Sequence, residues 1–299
     1  MMARPQTVRR RARGFTLVEA IVVIVVIGII GAIVAVFIRV PMLGYTDTVA
    51  RAQAGDEADL ALRRMAREIR LALPNSVRVS SSGDAIEFLL TTTGGRYLDV
   101  DDAATSGTPL DFVGNNPTFT VVGGLQAEVL PNQYVVVYNL GPGMAPADAY
   151  AFNEPERNIA RVRDRAPAGS TEITLADNPF GNRDEPMPSP GRRFQVVDGP
   201  VMLRCEAEGE AEGERLVLRR YAGYPIAREM ADPPPGTASA VLARRVADCR
   251  NVFRYDETDV ELRRSALVLL SLALHTRNHG DAASRSVRLV HQVHVDNTP

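Results

Sequence analysis

Glu19 is the residue whose position most calls for chemistry. It sits in the apolar run of residues 15–38, FTLVEAIVVIVVIGIIGAIVAVFI, and no acid precedes it. A carboxylate inside hydrocarbon costs at least about 2.5 kcal/mol on insertion scales, and such groups usually have a partner. Scission between Gly14 and Phe15 would supply one. The new α-amino group at Phe15 would be cationic at neutral pH and one helical turn from Glu19. It would also meet Glu19 of a neighbouring helix packed with an axial stagger. Opposite charges attract strongly in an apolar bundle, and either alone is costly, so the pair would act as a register device. A simpler reading has Glu19 snorkel one turn back to the membrane interface.

Other clusters of reactive side chains carry weaker signals. His275, His279, His291 and His294 are the whole histidine complement. His291 and His294 lie three apart on an expected strand and so face opposite sides, which suits structural or surface histidines better than zinc ligands. Asp99, Asp101 and Asp102 precede a Thr-Ser-Gly loop. Calcium is the metal such spacing would take, but the EF-hand glycine and closing glutamate are missing, so an acidic surface turn is preferred. Glu206, Glu208, Glu210, Glu212 and Glu214 alternate with small residues and read as a solvated hairpin loop. A nucleophile elbow, a P-loop, a dinucleotide fingerprint and an HExxH helix are all missing from the sequence. The chain reads as a non-enzyme without a cofactor.

These residues need an element to hold them, and the first is a long helix. Twenty-four residues of helix span about 36 Å, enough for a bilayer core of about 30 Å. Arg4, Arg9, Arg10, Arg11 and Arg13 precede the run, while Arg39 alone follows closely. The positive-inside rule places residues 1–13 in the cytoplasm and the remainder outside. An ordinary secretory signal would be shorter and end in a small-residue cleavage site. A plain anchor accounts for the length but not for Glu19. Gly28 and Gly31 are too close for a GxxxG motif and read as tolerated glycines.

The string RGFTLVEAIVVIVVIGIIGAI resembles the N-terminal signal of type IV prepilins and pseudopilins. The resemblance implies that a prepilin peptidase cuts after Gly14 and methylates Phe15, and that Glu19 serves assembly. It implies a single-pass inner-membrane precursor with a periplasmic head, later incorporated into a pilus at the cell surface. The implied partners are the peptidase, other major and minor pilins, and the inner-membrane assembly platform. Removing the leader takes five arginines from a chain of net charge −2. The acidic product does not suggest nucleic-acid binding.

Beyond the membrane, Pro41 and Gly44 weaken the helix. Helical patterning resumes near Thr46, with Ala58, Leu62, Met65, Ile69 and Ala72 forming one apolar stripe until Pro74-Asn75. The arginines between them read as a solvated face. Strands are expected at 77–79, 85–90, 118–122, 134–138, 193–197, 201–206, 215–220, 250–255, 265–275 and 286–295. Polar, Pro-rich breaks at 141–157, 177–192 and 231–237 read as loops, bounding two β lobes near residue 190. The expected segments are a leader at 1–14, a transmembrane assembly helix at 15–40, an amphipathic helix at 41–74 and a β-rich head at 75–299. The fold class is α+β: a long N-terminal helix on an antiparallel sheet, as in type IV pilins. In an oxidising compartment Cys205 and Cys249 suggest one disulfide, the alternative being two buried thiols.

The segments FQVVDGPVMLRCE, RLVLRRYAGY, CRNVFRYD and LVHQVHVDNTP, with ADLALRRMAREIRLALPNSVRV, resemble the MSHA (mannose-sensitive haemagglutinin) biogenesis minor pilins of the MshO type. This implies a role in pilus assembly or at the tip. Two alternatives stand beside it. One is a type II secretion pseudopilin. The other is a tip adhesin or DNA-uptake subunit, for which Arg219, Arg220, Tyr221 and Tyr224 would have to form an exposed patch.

Overall fold

The computed structural model describes residues 14–102, 106–181, 183, 185–208, 215–256, 265–276 and 285–299. The chain divides into two compact units, residues 1–51 and 52–299. One helix, α1 (Leu17–Ile69), includes residues of both.

In the first unit, Leu17–Ala35 is long and apolar enough to cross a membrane, and none of it is buried within the chain. The expected weakness at Pro41 and Gly44 is not a break, because α1 continues through both. A proline removes a single helical hydrogen bond, which long flanking turns can absorb.

In the second unit, the expected stripe is the buried face: Ala58, Leu62, Met65, Ile69 and Ala72 are all in the core. The last helical turn tightens, with Leu71 N–H donating to the Glu68 carbonyl and Ala72 N–H to the Ile69 carbonyl. The helix then ends before Pro74 for a tertiary reason. Residues 71–73 leave it to hydrogen-bond β2 (Ala85–Tyr97), through Leu73 N–H to the Leu89 carbonyl and Thr91 N–H to the Leu71 carbonyl.

The sheet is antiparallel throughout. Its first part comprises β1 (Arg78–Val79), β2, β7 (Arg193–Glu208), β8 (Arg215–Ala222), β9 (Ser239–Val246), β10 (Phe253–Asp256), β11 (Ser265–His275) and β12 (Ser286–Asp296). This part packs on residues 54–69 of α1 through Phe88, Leu203, Leu218, Leu270 and Leu272, among others. Gly83 has φ +67°, and a Cβ there would lie 2.7 Å from the Phe253 carbonyl oxygen, so only glycine fits where the β1–β2 turn approaches β10.

The segment between β2 and β7 builds a second core. β3 (Thr118–Val122) pairs with β2 and with β6 (Glu172–Thr174), while β4 (Tyr134–Val136) pairs with β5 (Ile159–Arg161) and with β7. The β5 and β6 segments meet at the Val162–Leu175 bridge, supported by Arg163 N–H to the Thr174 carbonyl. The ring β7–β2–β3–β6–β5–β4 therefore closes into a small barrel. Side chains alternate across its wall. Val135, Ala160 and Val196 point into the interior with Tyr97, Phe119 and Phe194, whereas their neighbours Val136, Ile159 and Val197 join a third cluster with Leu73 and Tyr150.

Two expectations change here. Residues 141–157 are more than a polar loop, since Ala147, Ala149, Tyr150 and Ala151 are buried. Buried Asp148 and Asn139 satisfy the backbone there, accepting from the N–H groups of Gly143, Tyr150 and Ala149. The expected strands 193–197 and 201–206 are one strand, with a bulge between Val197 and Pro200 opposite Leu89–Thr91. A bulge is where a sheet tolerates proline.

Candidate functional site

The first site is the start of α1. Gly14, Phe15 and Thr16 precede the helix, and Phe15 is exposed. The Thr16 hydroxyl oxygen accepts from the Glu19 backbone N–H at 3.2 Å, and the Thr16 carbonyl accepts from Ala20 N–H at 3.1 Å. Thr16 is thus the N-cap and Glu19 the third helical residue. A carboxylate there also faces the positive end of the helix dipole. The sequence reading missed this role of Thr16. The signal was present, since Thr-Leu-Val-Glu has the Thr-x-x-Glu spacing of a capping box. The arginines at positions 4–13 lie outside the described residues.

The cysteines meet. Cys205 on β7 and Cys249 in the turn before β10 form a disulfide with a Cα–Cα distance of 5.3 Å. Cys205 is buried in the helix-on-sheet core, and Cys249 packs at its border.

The candidate recognition patch is used internally. Arg220 pairs with Glu68 of α1 at 2.6 Å, and Arg219 pairs with Glu206 at 2.8 Å and Glu208 at 2.6 Å. The Tyr221 hydroxyl donates to Glu206, and the Tyr224 hydroxyl donates to Glu87. Glu206 and Glu208 belong to β7 rather than to a solvated loop, because cross-strand arginines neutralise them. Glu210, Glu212 and Glu214 lie outside the described residues.

The metal candidates disperse. On β12, His291 is on the partly buried face and His294 on the exposed face. His275 ends β11, and His279 lies outside the described residues. Arg192 and Arg96 pair with Asp102, and Arg192 also approaches Asp99. The Asp99 backbone N–H, then these guanidiniums, hold the Asp102 carboxyl below its ordinary range. Among the described residues no group of three or more His, Cys, Asp or Glu could hold a metal ion.

A buried polar cluster joins β1, β2 and the loop after β8. Arg78 pairs with Glu87 at 2.7 Å, and both side chains are largely buried. The Arg78 guanidinium also donates to the carbonyls of Ala227 and Arg228 and lies 3.7 Å from the Tyr150 ring centroid. Burial pushes the Glu87 carboxyl up despite Arg78, and it pushes the Tyr150 and Tyr224 hydroxyls well up. Nearby, Asn75 at φ 60° donates to the Asn139 and Asn297 carbonyls, and its N–H donates to the Asn297 side chain. That latch fastens the C-terminal tail to the end of the helix segment.

The family model described as the prokaryotic N-terminal methylation motif matches residues 9–35. Comparison with curated proteins and with solved structures gives no match. The matched segment carries the prepilin-type signal and contains Gly14, Phe15, the Thr16 cap and Glu19. Together with the apolar helix and the antiparallel sheet, it gives a membrane-anchored chain of type IV pilin-like, α+β organisation.

Proposed function

We propose that this chain is a minor pilin of an MSHA-type pilus, cut after Gly14, methylated at Phe15 and incorporated through its N-terminal helix. One observation carries the reading: the methylation motif at residues 9–35 coincides with a capped apolar helix whose first turn holds Glu19. Before scission Glu19 has the helix dipole for company. Afterwards the Phe15 amine adds a full positive charge beside the Thr16 cap, and Glu19 of an adjoining subunit can share it. The sequence orientation places the leader in the cytoplasm and the head in the periplasm before assembly.

Assignment to the MshO type rests on the resemblance of the β7, β8, β10 and β12 segments. A place at or near the tip follows from bulk. The barrel inserted between β2 and β7 is awkward to repeat along a fibre, whereas a terminal position can carry it.

Mass spectrometry of the membrane-extracted protein tests the processing. A mature N-terminus at methylated Phe15 is expected, and a functional form retaining Met1 or Met2 would refute it. Glu19→Val is expected to leave processing intact and to abolish incorporation. Loss of secretion with surface fibres intact in a deletion strain would transfer the chain to a secretion pseudopilus.

A further inference from the structure

β12 is an outermost strand of the sheet, and it is unusually regular. It pairs with β11 over eleven consecutive residue pairs without a register shift. Among the described residues its second edge receives no backbone hydrogen bond. The direction of its backbone groups follows from one neighbouring contact. Thr276 N–H donates to the Arg285 carbonyl at 2.7 Å in the same register. Hydrogen-bonded and non-hydrogen-bonded pairs alternate along an antiparallel ladder, so the odd-numbered residues from 285 to 295 turn their backbone groups to β11. Ser286, Arg288, Val290, Gln292, His294 and Asp296 turn theirs outward, and all six side chains are exposed.

Monomeric proteins blunt such edges with short strands, bulges, prolines or inward-pointing charges. β12 has eleven residues and no bulge, and it contains none of the chain's 20 prolines. Its exposed centre is Val290, and its outward charges are confined to Arg288 and Asp296. An edge left in this state is built to be covered.

The charge pattern indicates by what. Antiparallel pairing with a second copy centred on Gln292 brings the outward-turned sets into hydrogen-bonded positions. It sets Arg288 against Asp296 of the second copy, Val290 against His294, and Gln292 against itself. Both ends then close on an opposite-charge pair, which is favourable directly across strands. Moving the centre one residue either way sets Arg288 against His294 or Thr298 and leaves Asp296 opposite Ser286 or Val290. One Asp296 oxygen accepts from Thr298 N–H at 2.9 Å, and the other has no hydrogen bond among the described residues. The geometry points to β12 as the surface on which two copies of this chain pair, edge to edge, into one continuous sheet. Anchoring both chains in a membrane raises their effective concentration, so a contact of this size suffices.

Cysteine cross-linking of the full-length chain in membranes tests the register. Residues facing each other in a hydrogen-bonded antiparallel pair have Cα atoms about 5.5 Å apart, within the roughly 4.4–6.8 Å a disulfide spans. Gln292→Cys is expected to give a disulfide-linked homodimer on mild oxidation. Val290→Cys is expected to give at least about tenfold less, because four residues of strand, about 13 Å, separate the two copies of that position. Native Cys205 and Cys249 are bonded to each other and do not compete. Arg288→Glu is expected to suppress the Gln292→Cys dimer, and adding Asp296→Arg to restore it. Equal cross-linking at 290 and 292, no dimer at all, or adducts only with a different protein would each overturn the proposal. The substitutions lie on an exposed face, and an unchanged far-UV spectrum verifies that each variant is folded.

Discussion

Replacing Arg78 by Met should destabilise the head strongly at neutral pH and only mildly in acid. The Glu87 side chain is 3% exposed and sits 2.7 Å from the Arg78 guanidinium. Removing the cation leaves a buried carboxylate uncompensated, which costs about 3–5 kcal/mol. Burial already raises the Glu87 carboxyl above its ordinary 4.5, even with Arg78 in place. The folded state therefore holds that proton more tightly than the unfolded state does. The stability this contributes is complete below pH 4.5 and is lost as pH rises through the elevated folded value. In Arg78→Met the elevation grows, so more stability is lost on the way to neutrality than in the native chain. Below pH 4.5 the carboxyl is neutral in both proteins. What remains there is the loss of the Arg78 hydrogen bonds to Ala227 and Arg228 and of its contact with the Tyr150 ring, about 1–3 kcal/mol in total, because those carbonyls can turn to water and a methionine thioether can take over the ring contact. Urea unfolding of the detergent-solubilised full chain, followed by far-UV circular dichroism, measures both values. With no Trp in the chain, tyrosine emission is the second probe. A penalty equal at pH 7.5 and pH 4, or below about 1 kcal/mol at pH 7.5, would refute the uncompensated-charge reasoning.

Replacing both Cys205 and Cys249 by Ser opens a loop with a sequence separation of 44 residues. The chain-entropy relation gives about 4 kcal/mol, and calorimetry should show the head melting about 8–16 °C lower. Phe119→Ala empties the barrel interior at a cost of about 3–5 kcal/mol. Hydrogen exchange should then quicken in β3, β4 and β6 while β8 to β12 keep their protection, and uniform loss would contradict two separate cores. Asn75→Ala puts at φ 60° a residue without the side-chain amide that lets Asn adopt that conformation, and it removes the two side-chain hydrogen bonds to the Asn139 and Asn297 carbonyls while sparing the backbone N–H bond. A loss of about 2–4 kcal/mol is expected, with limited proteolysis releasing residues 297–299 first.

Periodicity made part of this architecture readable in the sequence. The apolar stripe from Ala58 to Ala72 and the strands at 118–122, 265–275 and 286–295 are long or regular enough for their spacing to show. Three strands escaped. β5 and β6 have three residues each, too few for alternation to register. β9 is obscured because its pairing with β8 shifts register twice, so its burial pattern does not alternate. The barrel was hidden for a related reason, since its closure rests on the single Val162–Leu175 bridge. Asp198-Gly199-Pro200 read as a break because composition does not separate a bulge from a turn. At the candidate site, Glu19 stood out as a charge in an apolar run, whereas Arg78 and Glu87 looked like ordinary strand charges until tertiary pairing buried them.

The division of cores explains how one chain can combine a constrained N-terminal signal with a large head. The helix-on-sheet core draws no buried residue from positions 91–200. Leu89 and Pro200 are paired neighbours across β2 and β7, so the chain leaves that core and returns to it at adjacent points. Whatever is inserted between them must close a core of its own, and the six-stranded ring does so with Phe119 and Phe194 in edge-to-face contact at 5.3 Å. The insertion can therefore change in size without disturbing the packing of Ala54–Ile69 on the sheet. Among the described residues, neither core includes any of positions 14–35 of the methylation motif, so that part of the motif is free of the demands of head folding. On the proposed function, constraint on the motif then comes from outside the chain: from an enzyme that would read Gly14–Phe15 and a neighbouring helix that would meet Glu19.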